Sequence, residues 1–126
     1  MAEVVGTLQQ TTPSYSWAEG CQAWILNNTE TATIKEELMA PGTREQLHLH
    51  KAMEQFFYIL EGAAVIVLEG RTFQLNAGQG LHIGAKTAHF IENKSDASLR
   101  FLVISTPGEN TVPEKRRLLN SEDHTH

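Results

Sequence analysis

Four of the six histidines, His48, His50, His82 and His89, fall between Leu47 and Phe90. His48 and His50 are two positions apart. In extended chain, residues i and i+2 point to the same face. A strand carrying His-Leu-His therefore aims two imidazoles side by side, which is half of a metal site. Spacing alone leaves a second reading open, a histidine pair on a solvated face. His82 has the intrinsic pKa of a general base, but its neighbours Leu81 and Ile83 point to a hydrogen-bonded or partly exposed side chain on an outer face. Tyr58 and Glu92 could contact a substrate or could be structural. The lone Cys21 has no basic or histidine neighbour in sequence to lower its pKa, so it reads as a small packing residue. His124 and His126 belong to a polar tail.

These side chains need a scaffold, and the sequence around them is strand-like. Short β-prone runs recur: Cys21–Leu26, Ala32–Met39, Gln46–His50, Gln55–Leu60, Ala63–Leu68, Arg71–Leu75, Gly80–Ile83, Ala88–Glu92 and Leu99–Ser105. Turn residues separate them, among them Pro41-Gly42, Glu61-Gly62, Glu69-Gly70 and Ala77-Gly78. Many short strands without a long helical period predict an all-β sandwich or barrel. Phe73 and Leu75 share one face, and Glu69-Gly70 reads as the turn of a hairpin. The run Thr31–Leu38 does not alternate cleanly, as at an edge or bulge. Residues 1–20 read as a polar arm, 21–107 as the domain, and 108–126 as a tail with one or two helical turns over Pro113–Asn120. Gly78-Gln79-Gly80 lacks the spacing and the strand-to-helix context of a dinucleotide loop.

Bulk properties exclude several function classes. At 126 residues there is room for one domain, which buries roughly two thirds of its unfolded surface and needs no staples. The net charge of −5 argues against nucleic acid as a partner, and the only basic run, Lys115-Arg116-Arg117, reads as a solvated tail face. No signal-like segment is seen, and apolar runs such as Phe56–Leu60 are too short for a bilayer. A single cysteine excludes an internal disulfide and fits a reducing compartment. The expectation is a cytoplasmic protein with no membrane contact.

The spacing carries more than the histidine pair. Gly42 stands six residues before His48, and six residues separate Gln55 from Gly62. Further on come Gly78, Gly84, Lys86, His89 and Asn93. Taken in order, these resemble the two motifs of the cupin superfamily, over roughly Ala23 to Pro107. The resemblance implies a double-stranded β-helix, or jelly-roll, barrel as a single-domain cupin. It also implies a divalent ion (Zn, Ni, Fe or Mn) on His48, His50 and His89, with Gln55 as fourth ligand where the family has Glu. Glu54 satisfies a shorter spacing after His50, but strand parity groups Gln55 with Phe57 and Ile59 and sets Glu54 on the opposite face. Gly84 and Lys86 replace the Pro and Gly of the second motif, so that turn departs from the pattern. Asn93 reads as a turn or supporting residue.

By the same resemblance the chain is expected to be a metal-dependent lyase, isomerase, hydrolase or oxygenase on a small polar, oxygen-rich ligand such as a sugar or organic acid. The alternatives are a non-catalytic binding or sensing barrel, and a structural barrel with vestigial histidines. A homodimer is expected, with the N-terminal arm covering a sheet edge and Trp17 or Trp24 as anchor.

Overall fold

The computed structural model describes residues 2–8, 10 and 12–109, and the backbone of Arg117 and Leu118. Eleven strands follow in order: β1 Tyr15–Ala18, β2 Cys21–Asn28, β3 Thr33–Met39, β4 His48–Leu49, β5 Glu54–Glu61, β6 Ala63–Leu68, β7 Arg71–Asn76, β8 Gly80–Ile83, β9 His89–Glu92, β10 Leu99–Thr106 and β11 Arg117–Leu118. They form two antiparallel sheets, ordered β1-β2-β3-β10-β5-β8 and β11-β4-β9-β6-β7. The fold is all-β, with no α-helix among the described residues.

Burial follows strand parity. Gln55, Phe57 and Ile59 of β5 are buried, while Glu54, Phe56 and Tyr58 between them are exposed. Their partners on β10, Phe101 and Val103, face the same core, and the rings of Phe57 and Phe101 stack at 5.7 Å. On the opposite sheet Ala64 and Ile66 are buried in that core, with Leu68 packed against it. Leu75 and Phe73 of β7 join them, and the expected β6–β7 hairpin turns through Glu69 and Gly70, both at positive φ. Cys21 is fully buried, as a packing residue should be.

Two sequence expectations are revised. Part of the arm, Tyr15–Ala18, is a strand paired to β2. Within Pro113–Asn120, Arg117 and Leu118 are extended and pair with Leu49 and His48, because the short β4 offers an open edge there. The rest of that stretch, together with Lys115, Arg116, His124 and His126, lies outside the described residues.

Candidate metal centre

β4 and β9 are neighbours, and His48 is the register partner of His89. Side chains directly opposite each other on paired strands share a face, so the pairing sets a third imidazole beside the His48–His50 pair. His50 follows the end of β4 and still turns inward. All three are buried, with ring centroids 4.3 Å apart for His48–His89, 5.2 Å for His48–His50 and 5.8 Å for His50–His89. One nitrogen from each can be chosen so that the three lie within 4.8 Å of one another, a spacing that could hold a metal ion.

Backbone carbonyls orient two of the rings. Nδ1 of His48 lies 2.8 Å from Gln46 O, and Nδ1 of His89 lies 2.8 Å from Thr87 O. A carbonyl only accepts, so each Nδ1 carries the proton and each Nε2 presents its lone pair, the state a metal ligand needs. A further contact ties the histidine segments together: Lys86 N donates to His50 O at 2.6 Å. Lys86 occupies the position where the resemblance expects glycine, and it keeps the left-handed backbone, with φ 65°. The turn thus takes a backbone conformation that glycine would adopt freely, with a lysine in its place.

Gln55 is buried and lines a cavity of about 120 Å³ together with His48 and His50. Its Oε1 is buried without a hydrogen-bond partner. An orphaned buried carbonyl oxygen costs on the order of 1–3 kcal/mol, and a cation in the cavity would relieve it. The donor set therefore fits a divalent ion. Glu54 points the other way, outside the barrel, where its Oε1 lies 3.0 Å from His82 Nε2 with both side chains more than half exposed. The structure thus brings together His48, His50, His89 and Gln55 inside the barrel, and sets Glu54, His82 and Tyr58 on the outer face. Asn93 is fully buried and donates to Met39 O and Ala97 O, pinning the turn before β10 to the end of β3.

Sequence reasoning missed the cavity's charged lining. Lys35 and Glu37 of β3 face inward, and Tyr15 and Glu109 close in from either side. Lys35 Nζ donates to Glu109 Oε1 at 2.8 Å and to the Tyr15 hydroxyl at 2.9 Å. The available signal was the broken alternation of Thr31–Leu38: Thr33, Lys35, Glu37 and Met39 form one inward face with charges in its middle.

Known proteins share the family and the fold. A family model described as cupin domain matches residues 35–105. An uncharacterized protein of Methanocaldococcus jannaschii is 33% identical over 75 residues, covering 60% of each chain. The polyketide synthase CurC of Streptomyces cyaneus is 37% identical over 70 residues, 56% of this chain and 46% of that protein. This chain thus spans under two thirds of either relative. Among solved structures, the polyketide cyclase RemF of Streptomyces resistomycificus superposes with a TM-score of 0.75 over 98% of this chain and 90% of that one. At 23% identity that likeness shows the fold.

Proposed function

This chain belongs to the cupin domain family, and from that premise we propose that it is a metal-dependent enzyme acting on a small, oxygen-rich molecule such as an organic acid or sugar. One divalent ion would be held by His48, His50 and His89, with the Gln55 carbonyl oxygen as fourth protein ligand. The observation that carries the reading is the buried triad of imidazoles, two of which, His48 and His50, line a cavity shared with Gln55 and its orphaned oxygen.

Imidazole and carbonyl donors suit Zn²⁺, Ni²⁺, Fe²⁺ or Mn²⁺. When bound, such an ion polarises a substrate carbonyl or acidifies water. The chain's own residues do the rest. Met53, Phe57 and Val103 give the cavity an apolar wall beside the histidines. The volume of about 120 Å³ equals about four waters, well below the ~300 Å³ at which drug-sized pockets begin. It therefore takes a molecule of few carbons, or the reacting end of a larger one. CurC, a similar protein, is named a polyketide synthase, and the fold alone does not select among substrate classes.

One observation favours a non-catalytic binding barrel instead: Lys35 and Glu109 are tied to each other across the cavity wall, which blunts either as a proton carrier. Metal analysis of untagged protein purified without chelators separates the readings. About one ion per chain is expected. His48→Ala or His50→Ala should abolish it while the β-rich circular dichroism persists, because most of the apolar core, all but Phe57 and Val103, lies outside the cavity lining. Substrate screens with the identified ion then decide between catalysis and binding. A double histidine variant that alters neither metal content nor any activity would leave a structural barrel.

We propose further that the chain works as a homodimer in the cytoplasm. The exposed Phe56 and Tyr58 on the outer sheet face support the first, and the buried, unpaired Cys21 supports the second.

A further inference from the structure

Gln55 is an ambiguous ligand by nature. One end of its amide can coordinate a cation and the other cannot, and the two ends have nearly the same shape. Something must decide which end faces the histidines. Gln55 and Ser105 are register partners on β5 and β10, so their side chains share the inner face. Gln55 Nε2 donates to Ser105 Oγ at 3.1 Å, and Ser105 Oγ donates to Glu109 Oε2 at 3.3 Å. Glu109 Oε1 accepts from Lys35 Nζ at 2.8 Å, and the Lys35 ammonium also donates to the Tyr15 hydroxyl. Glu109 is itself fixed, since its backbone N donates to Thr33 Oγ1 at 2.8 Å.

We infer that Lys35, Glu109 and Ser105 form a polarity relay that positions Gln55 with its oxygen, not its nitrogen, toward the three histidines. Each link has one permitted direction. An ammonium only donates, so it holds Glu109 as an acceptor. An ionised carboxylate cannot donate, so Ser105 must spend its single proton on Glu109. Ser105 Oγ is then an acceptor toward Gln55, which meets it with the amide NH₂. The carbonyl oxygen is left for the cation. Tyr15 and Glu109 lie outside residues 35–105, and Lys35 and Ser105 are its two end residues, so the relay is built largely from the margins of the family match.

The inference rests on Gln55 as fourth ligand, and the test separates the two claims. Affinity for Mn²⁺ and Co²⁺ is measured on the full chain by competition with a chelator, with the Co²⁺ visible spectrum as a report on its ligands. Four proteins are compared: wild type, Gln55→Ala, Ser105→Ala and the double variant. Ser105→Ala is expected to weaken binding about 10- to 100-fold, the usual effect of losing a supporting group, and to change the spectrum. In the Gln55→Ala background the same substitution should do neither. Glu109→Gln, whose amide can donate back to Ser105 and reverse the relay, should reproduce the loss, and it carries the test should Ser105→Ala not fold. Equal losses from Ser105→Ala in both backgrounds would mean a general structural effect and overturn the relay. Unchanged affinity in Ser105→Ala and Glu109→Gln, with a loss in Gln55→Ala, would overturn the relay and keep the ligand. Unchanged affinity in Gln55→Ala would remove the ligand and the relay together.

Discussion

Gln55 and Glu54 are chain neighbours whose side chains meet opposite surroundings, the barrel interior and the solvent beside His82. Strand parity made that separation readable from sequence, because it depends only on counting. Lys35 could not be read the same way. Burial pulls its pKa down, and the neighbouring Tyr15 and Glu109 more than offset this, so it is held above the ordinary lysine value. Burial likewise raises Tyr15, against the opposing effect of Lys35. Both groups hold their protons more tightly folded than unfolded. The stability they contribute is therefore complete below their unfolded values, near pH 10, and is lost as pH rises through the folded values. Denaturation at a series of pH values should show a steep alkaline loss in wild type and a shallower one in a Lys35→Met, Tyr15→Phe variant. The same alkaline slope in both proteins would show that these groups are not coupled to folding.

Gly62 shows what an element boundary demands. It joins β5 to β6 at φ 91°, and a Cβ there would lie 2.6 Å from the carbonyl oxygen of Ser98. The clash is with backbone, which cannot swing aside as a side-chain tip would. Gly62→Ala should destabilise the protein by about 1–3 kcal/mol through strain at the turn and the close approach. Urea denaturation with an unchanged midpoint would count against this account. The sequence marked Gly62 as a turn and as the end of the first motif. That Ser98 passes over it required the β9–β10 connection in three dimensions. The short β4 is a similar case. His48 and His50, the second just past its end, were legible as a same-face pair, but the strand's pairing with Arg117–Leu118 came from the open edge beside it.

Across the whole molecule, the outer face of the six-stranded sheet exposes an apolar cluster on β5 and β10. Phe56 and Tyr58 are 38% and 37% exposed, and they sit opposite Ile104 and Leu102 of β10. Leu8 of the N-terminal segment, 88% exposed, flanks a groove over Trp24 and Leu38 on this sheet. The ion pair of Glu36 and Arg100 lies in the same groove, and an exposed aromatic pair with an apolar arm segment on one sheet face is an arrangement a second copy can cover symmetrically. Sedimentation at micromolar concentration is expected to give twice the 14.0 kDa chain mass. Phe56→Lys together with Tyr58→Lys should shift it to the single-chain mass. A wild-type protein that sediments only at 14.0 kDa would end the dimer proposal. Among the described residues no helix is long and apolar enough to cross a membrane.

The sequence by itself determined the all-β class, the same-face pairing of His48 and His50, and the opposite facing of Gln55 and Glu54. Each of these follows from the two-residue period of a strand, a local property that needs no partner. Tertiary structure decided the rest. His89 joins the pair because β9 lies against β4 in one register, and a shift by one residue would turn its ring to the other face. Gln55 finds Ser105 fifty positions away, and Glu109 finds Thr33 seventy-six positions away. Such contacts depend on which strands pair and in what order. That choice is made by burying the core as a whole, and no window of sequence contains it.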